Sequence, residues 1–178
     1  PEQIGDRNVL MFISNQRIYQ EKYANWGKQI KRFKLINGSN PKRKFWKFDD
    51  VQIQFLKANE GGFAFLIRID GLNIYHGGKH WLSSDSRIAE FKKAFSDIDG
   101  RMDIAIIPIT FAAGLDSIHM KGFGLTVEAL SPRLVIPSGG AGTQKFMFTL
   151  AGKLLMKSMP KIAVFYAFER GATVQYPM

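Results

Sequence analysis

Apolar and polar residues alternate in short segments along the first half of the chain. Residues 9–14 form a mainly apolar run, which is typical of a buried strand. Residues 51–55 alternate between apolar side chains and glutamines, and much of 64–69 and 72–76 alternates in the same way. Because successive side chains of a strand point to opposite faces, this period of two predicts strands. The dipeptide Asp70-Gly71 between the last two predicts a tight hairpin turn.

The second half of the chain switches between helical and strand patterns. Ile88, Phe91, Phe95 and Ile98 recur at helical spacing, which predicts an amphipathic helix over residues 86–98 that ends near Gly100. Further helices are predicted over 125–130 and 144–156, and strands over 104–108, 134–137 and 162–167. Hairpins followed by β/α units predict mixed sheets covered by helices.

Three segments resemble the metallo-β-lactamase superfamily. Residues 61–81, GGFAFLIRIDGLNIYHGGKHW, look like that family's pair of strands ending at a metal-bridging Asp. Residues 89–109 are similar to its next helix and strand, and residues 130–140, LSPRLVIPSGG, to the strand that delivers a late His ligand. The resemblance implies an α/β fold of the αββα sandwich type. In this fold two mixed β-sheets pack face to face, with helices on the outer faces.

The same resemblance aligns residues that do not bind metals with the family's ligand positions. The family's His-x-His-x-Asp-His motif follows a strand that ends in Ser, and residues 14–20 here are S-N-Q-R-I-Y-Q. The bridging Asp and the late His fall on Lys79 and Gly139. This former metal site therefore consists of Asn15, Arg17, Tyr19, Gln20, Lys79 and Gly139. Because zinc selects His, Cys, Asp or Glu, and permanent cations repel it, we expect no metal, no cofactor and no catalytic residue there.

A glycine-rich loop follows the predicted strand at 134–137. Its residues Gly139, Gly140, Gly142 and Thr143 precede a predicted helix, and such a loop can present backbone N–H groups to an anion. The segment matches neither a Walker loop nor a dinucleotide fingerprint, so a turn that merely needs glycine is favoured. If the family fold is correct, Arg17 and Lys79 would convert the cation pocket into an anion pocket. The ligand could then be an anionic small molecule.

The residues that commonly carry catalysis or bind metals are few. Cysteine is absent, which excludes disulfides and thiolate sites, and the only histidines are His76, His80 and His119. Two glycines separate His76 from His80, which argues against a helical ligand pair and favours a satisfied or exposed side chain for each. The enzyme alternative is a hydrolase with ligands at other positions, such as His76, His80, Asp70 or residues upstream of this sequence.

The net charge of +10 is concentrated in a basic segment, residues 28–47, that contains no acid. Its cations are Lys28, Lys31, Arg32, Lys34, Lys42, Arg43, Lys44 and Lys47. Such a patch could bind nucleic acid, but no recognition motif accompanies it, so a solvated helix end and loop is favoured. The helix is predicted from the spacing of Tyr23, Trp26, Ile30 and Phe33.

The length predicts one domain over residues 1–178. The family's first strands would then be missing from this sequence or supplied by another subunit, so a homo-oligomer stays open. No apolar run is long enough to span a bilayer, and the composition does not indicate a compartment. The expected function is a non-catalytic binding or scaffolding module, with metal-dependent hydrolysis and nucleic-acid binding as alternatives.

Overall fold

The computed structural model describes residues 9–13, 33–37, 45–48, 50–58, 63–78, 80–96, 98–109, 117–138, 161–165 and 173–175. Its strands are β1 (Val9–Ile13), β2 (Phe33–Asn37), β3 (Phe45–Phe48), β4 (Val51–Lys57), β5 (Phe63–Ile69), β6 (Leu72–His76), β7 (Ile104–Pro108), β8 (Leu134–Ser138) and β9 (Ala163–Val164). A 3-10 turn, Asp85–Arg87, leads into helix α1 (Ile88–Lys93), and helix α2 is Ser117–Leu130.

Most of the described strands form one mixed sheet in the order β3-β4-β5-β6-β7-β8-β9. Neighbours from β3 to β6 are antiparallel, and neighbours from β6 to β9 are parallel. β1 and β2 form a separate parallel pair. The first half of the large sheet is therefore built from hairpins and the second from β/α crossovers. This confirms the predicted mixed sheet.

Most strands of the large sheet follow the predicted pattern, whereas β3 was not predicted. β5 begins at Phe63 and β8 extends to Ser138, each one residue beyond the predicted bound. The predicted hairpin is also confirmed, because Ile69 pairs with Leu72 across the turn. Its two central residues, Asp70 and Gly71, have φ angles of 50° and 77°, as a type I′ turn requires.

Helix α1 is shorter than the predicted 86–98, so that prediction is wrong in length. Beyond Lys93 the backbone bonds span three residues, from Ala94 N–H to Phe91 O and from Phe95 N–H to Lys92 O. This tighter winding is common at helix ends. The apolar face is nevertheless confirmed, because Phe91 and Phe95 are buried and Ile88 and Ile98 pack against the same core.

Helix α2 begins at Ser117, well before the predicted start at residue 125. Gly122 and Gly124 weaken the helical signal in its first half. Tertiary packing explains Gly122, since a Cβ on this residue would lie 2.6 Å from Leu82 Cβ. The helix therefore needs glycine where it approaches the Leu82 backbone.

Three other predictions concern segments that are described only in part or not at all. The predicted helix cannot include Phe33, because Phe33 begins strand β2. Its other residues, Tyr23, Trp26 and Ile30, and the predicted helix over 144–156, lie outside the described ranges. The last predicted strand, over 162–167, is present as the two residues of β9; Ile162 and Phe165 are described outside it, and 166–167 lie outside the described ranges. In the part of the chain that the structure describes, no helix has the length and apolar character that a bilayer crossing needs.

The two faces of the large sheet bury different sets of side chains. On the helical face, Ala64, Tyr75 and Val135 are fully buried against side chains of α1 and α2. On the opposite face, called the aromatic face here, Ile53 and Phe55 are buried, and Phe63, Phe65 and Ile67 are partly buried around them. Alternation along β4 and β5 assigns neighbouring residues to these two faces.

Candidate functional site at the carboxyl edge of the sheet

The parallel strands β6, β7 and β8 end at one edge of the sheet, called the carboxyl edge here. Their last residues are His76, Pro108 and Ser138, and register pairs His76 with Ile106 and Pro108 with Ser138. Ligands of open α/β sheets bind outside the carboxyl ends of the strands. Lys79 and Gly139 follow β6 and β8 within three residues. This edge is therefore the candidate site.

Nearly all of the site residues predicted from the sequence lie outside the described ranges. These are all six positions of the former metal site (Asn15, Arg17, Tyr19, Gln20, Lys79 and Gly139) and the rest of the anion loop (Gly140, Gly142 and Thr143). Their described chain neighbours at the edge are Gly78, His80 and Ser138. The prediction that Arg17 and Lys79 lie close together stays a prediction.

Two cations of the basic segment are described, and neither lies in a helix end or a loop. Lys34 is in β2, and Lys47 is an exposed residue of β3. The expectation of a solvated helix end and loop is therefore wrong for these two residues, because strand pairing includes them. The segment's other cations, Lys28, Lys31, Arg32, Lys42, Arg43 and Lys44, lie outside the described ranges.

A short turn leaves β6 at the carboxyl edge and is held at both ends. Gly77 N–H donates to Ile106 O at 2.8 Å, which ties the turn to β7. His80 N–H donates to Gly77 O at 2.7 Å, which closes the turn. Gly78 has a φ of 53°, a left-handed conformation that favours glycine. Lys79 stands between Gly78 and His80 in the sequence, so the turn carries one position of the former metal site.

The two glycines of this turn pass close to neighbouring strands. A Cβ on Gly77 would lie 2.3 Å from Pro108 Cδ, and one on Gly78 would lie 2.1 Å from Phe63 O. The second contact is with backbone, which cannot rotate away. The turn therefore has little freedom to move, and its glycines serve close packing at the edge.

His80 anchors the turn on the helical face. Its ring lies 4.5 Å from the Phe91 ring and 4.9 Å from the Phe95 ring, between centroids. Tyr75 Oη and His80 Nδ1 share a hydrogen bond of 2.8 Å. Burial lowers the pKa of His80 to about 4 and raises the pKa of Tyr75 above its ordinary range. Both side chains are therefore neutral near pH 7, and His80 is a satisfied core residue, one of the two outcomes expected for it.

His76 lies on the opposite, aromatic face, because it follows Tyr75 in the strand. Its ring meets the Phe65 ring edge-on, with centroids 6.1 Å apart. Gly78 N–H donates to His76 Nδ1 at 3.1 Å. The side chain is only partly buried. Strand alternation in residues 72–76 could have assigned His76 and Tyr75 to different faces from sequence alone.

The described residues do not fit a metal of the family type. Within the described ranges, no group of three or more His, Cys, Asp or Glu side chains could hold a metal ion. Asp70 and His76, two residues of the alternative ligand set, cannot bind one metal together, since they lie at opposite ends of β6, roughly 20 Å apart at the rise of a strand. His80 Nδ1 is already hydrogen-bonded to Tyr75 Oη. The former metal site offers amides, a phenol and two cations, which are poor zinc ligands.

At the opposite edge of the same strands, called the amino edge here, side chains connect neighbouring strands and the end of α2. Asn73 N–H donates to Asp103 Oδ2 at 2.8 Å, and Arg133 Nη1 lies 3.6 Å from Asp103 Oδ1. Arg101 Nε donates to Ser131 O at 2.8 Å, just beyond the end of α2. A shallow cavity of about 310 Å³ lies there, lined by Arg101, Glu128, Ser131, Pro132 and Ile162. These contacts hold neighbouring strands and the end of α2 together at the amino edge.

The chain is similar to several known proteins in sequence or in fold. No family model matches the chain. A UPF0173 metal-dependent hydrolase of Pyrococcus abyssi is 33% identical over 74 residues, which is 42% of this chain and 29% of that protein. The metallo-β-lactamase fold protein YhfI of Bacillus subtilis aligns with a TM-score of 0.54 at 16% identity, over 93% of this chain and 64% of that one.

A metallo-β-lactamase superfamily protein of Thermotoga maritima aligns with a TM-score of 0.43 at 18% identity, over 74% of this chain and 59% of that one. The aligned part of this chain thus spans less than two thirds of each of these proteins. The likeness to YhfI shows the fold, and the Pyrococcus protein adds similarity in sequence. The chain therefore has the α/β metallo-β-lactamase fold, and its predicted resemblance to that superfamily is confirmed.

Proposed function

We propose that this chain is a non-catalytic protein of the metallo-β-lactamase fold, a binding or scaffolding module that takes a small anion at the carboxyl edge. The observation that supports it is the parallel order of β6, β7 and β8. Because of this order, the loops that carry Lys79 and Gly139 begin at one edge. The resemblance aligns both positions with metal ligands. In this chain Lys79 supplies an ammonium group, and Gly139 has no side chain that could bind a metal. The proposal treats residues 1–178 as one domain.

The chemistry of the former metal site favours an anion over a cation. Arg17 and Lys79 contribute two positive charges, and no acid stands at the six positions. Charges in a cleft of lowered dielectric interact more strongly than in water. The glycine loop from Gly139 could add backbone N–H donors. A phosphate or carboxylate group matches this set of donors, whereas a divalent metal does not.

The proposal is tested by two measurements on the whole chain. Elemental analysis of protein purified without added metal or chelator should find no stoichiometric zinc, iron or manganese. Titration with inorganic phosphate, followed by NMR, should shift the amide signals of Gly77, Gly78 and His80. Lys79→Ala should weaken phosphate binding about tenfold, the usual effect of losing one charged hydrogen bond. The matched control Lys92→Ala, an exposed lysine of α1, should leave the affinity unchanged.

Two outcomes would contradict the proposal. One is a metal at unit occupancy that is lost when any of these residues is replaced: Asn15, Arg17, Tyr19, Gln20 or Lys79. The other is the absence of any phosphate effect at the carboxyl edge. Equal weakening by Lys79→Ala and Lys92→Ala would indicate non-specific attraction to a basic protein rather than a site.

A metal-dependent hydrolase is the second candidate, because the Pyrococcus protein that matches over 74 residues is called one. Its ligands would have to include residues outside the described ranges, since no group of ligands exists within them. Zn²⁺ or Mn²⁺ should then switch on hydrolysis of nitrocefin or bis(p-nitrophenyl) phosphate. Activity that depends on the added metal would favour this candidate over the first.

Nucleic-acid binding through the basic segment stays a prediction. Its described support is modest, since Lys47 is exposed on β3. A steep fall of affinity with salt would indicate phosphate-backbone contacts, whereas a small ligand at the carboxyl edge should respond less. A homo-oligomer also stays a prediction.

A further inference from the structure

His76 is an imidazole side chain at the carboxyl edge that does not belong to the former metal site. It is the last residue of β6. Register pairs it with Phe65 on β5 and Ile106 on β7, so both cross-strand neighbours are apolar. Unlike His80, it is not enclosed by core side chains, and it is only partly buried.

The hydrogen bond to Gly78 fixes the tautomer of the His76 ring. A backbone N–H can only donate, so Nδ1 must accept with its lone pair. The proton of the neutral ring is therefore on Nε2. Within the described ranges this Nε2–H donates to no protein acceptor. The turn thus holds a ring whose free edge is a hydrogen-bond donor.

We propose that His76 Nε2–H donates to an oxyanion of the ligand bound at the carboxyl edge. The inference rests on the proposed anion site and names a residue that the family resemblance did not assign. The turn makes the donor rigid, because Gly77 is tied to Ile106 O and Gly78 to His76. A rigid donor loses little conformational entropy when an anion binds. Phosphate and carboxylate share the required chemistry.

Two substitutions separate this role from that of holding the turn. The amide oxygen of His76→Asn can replace Nδ1 and keep the Gly78 bond, but the variant lacks the donor at Nε2. His76→Gln can extend an amide N–H to the Nε2 position, but it lacks the acceptor for Gly78. If His76 binds the anion, His76→Asn should weaken binding of inorganic phosphate about tenfold, and His76→Gln should weaken it less. If His76 only holds the turn, His76→Gln should weaken phosphate binding more than His76→Asn does.

The wild-type ring gives a readout that does not depend on the variants. ¹⁵N NMR of the His76 ring should show Nε2 protonated, and phosphate should shift this nitrogen more than Nδ1. A parallel titration with acetate tells carboxylate from phosphate, since the preferred anion should shift it at lower concentration. Phosphate binding that leaves the His76 nitrogens and the His76→Asn affinity unchanged would overturn this inference while the proposed function stands. If phosphate shifts nothing at the edge, the proposed function itself is wrong.

Discussion

The two edges of the parallel strands are built from different chemistry. At the amino edge, the Asp103 carboxylate accepts the Asn73 N–H and faces Arg133, and Arg101 donates to a carbonyl beyond α2. At the carboxyl edge, glycines pack against backbone, and His76 keeps one nitrogen unused by the described protein groups. The side chains of the amino edge bind other protein groups. At the carboxyl edge the described backbone N–H groups of the turn are also bonded within the protein, and His76 Nε2 is the group that the proposed function leaves for a ligand.

The largest expected effect comes from replacing a glycine of the carboxyl edge. Gly78→Ala should lower the free energy of unfolding by roughly 4 kcal/mol, because it adds a left-handed residue and a clash with Phe63 O. Gly71→Ala is the matched control, since Gly71 also has a positive φ but nothing within 4 Å of its Cβ. It should cost only about 1 kcal/mol. Urea denaturation measures both, and equal losses would show that the carboxyl edge is not closely packed.

The second effect concerns pH and the buried histidine of the carboxyl edge. The pKa of His80 is lowered by burial from 6.5 to about 4, so between these values the unfolded chain binds the proton and the folded chain does not. Stability should therefore fall as the pH drops from 6.5 towards 4, by about 3 kcal/mol in total. In His80→Gln the free energy of unfolding should no longer fall in this way between pH 6.5 and 4. Only the pH dependence that comes from carboxylates should remain. If the free energy of unfolding changes with pH in the variant as it does in the wild type, folding does not lower the pKa of His80.

The third and smallest effect tests the amino edge. Asp103→Ala removes the carboxylate that accepts the Asn73 N–H and lies 3.6 Å from Arg133 Nη1, and should cost about 2 kcal/mol. Glu90→Ala is the control, because the Arg87–Glu90 pair is exposed at both ends and should matter by less than about 0.5 kcal/mol. Phosphate affinity should stay the same in both variants. A loss of affinity in Asp103→Ala would mean that the two edges are coupled.

The sequence by itself determined most strands of the large sheet, because a period of two and turn residues are local signals. It did not predict β3, which begins in the basic segment. The Asp70-Gly71 hairpin and the buried face of α1 were predicted for this reason. The former metal site came from the resemblance alone, and its residues lie outside the described ranges. Local patterns could not set the length of α1 or the start of α2, since Gly122 is explained only by its approach to Leu82.

Only the tertiary structure decided what the two histidines near the turn do. In sequence, His76 ends a predicted strand and His80 follows two glycines, but no local pattern shows which of the two is buried. In the fold, the turn directs His80 between Phe91 and Phe95 and leaves His76 on the other face of the sheet. Burial and hydrogen-bond partners depend on strands and helices that are distant along the chain. The chemistry of a side chain is therefore set by contacts that no local pattern encodes.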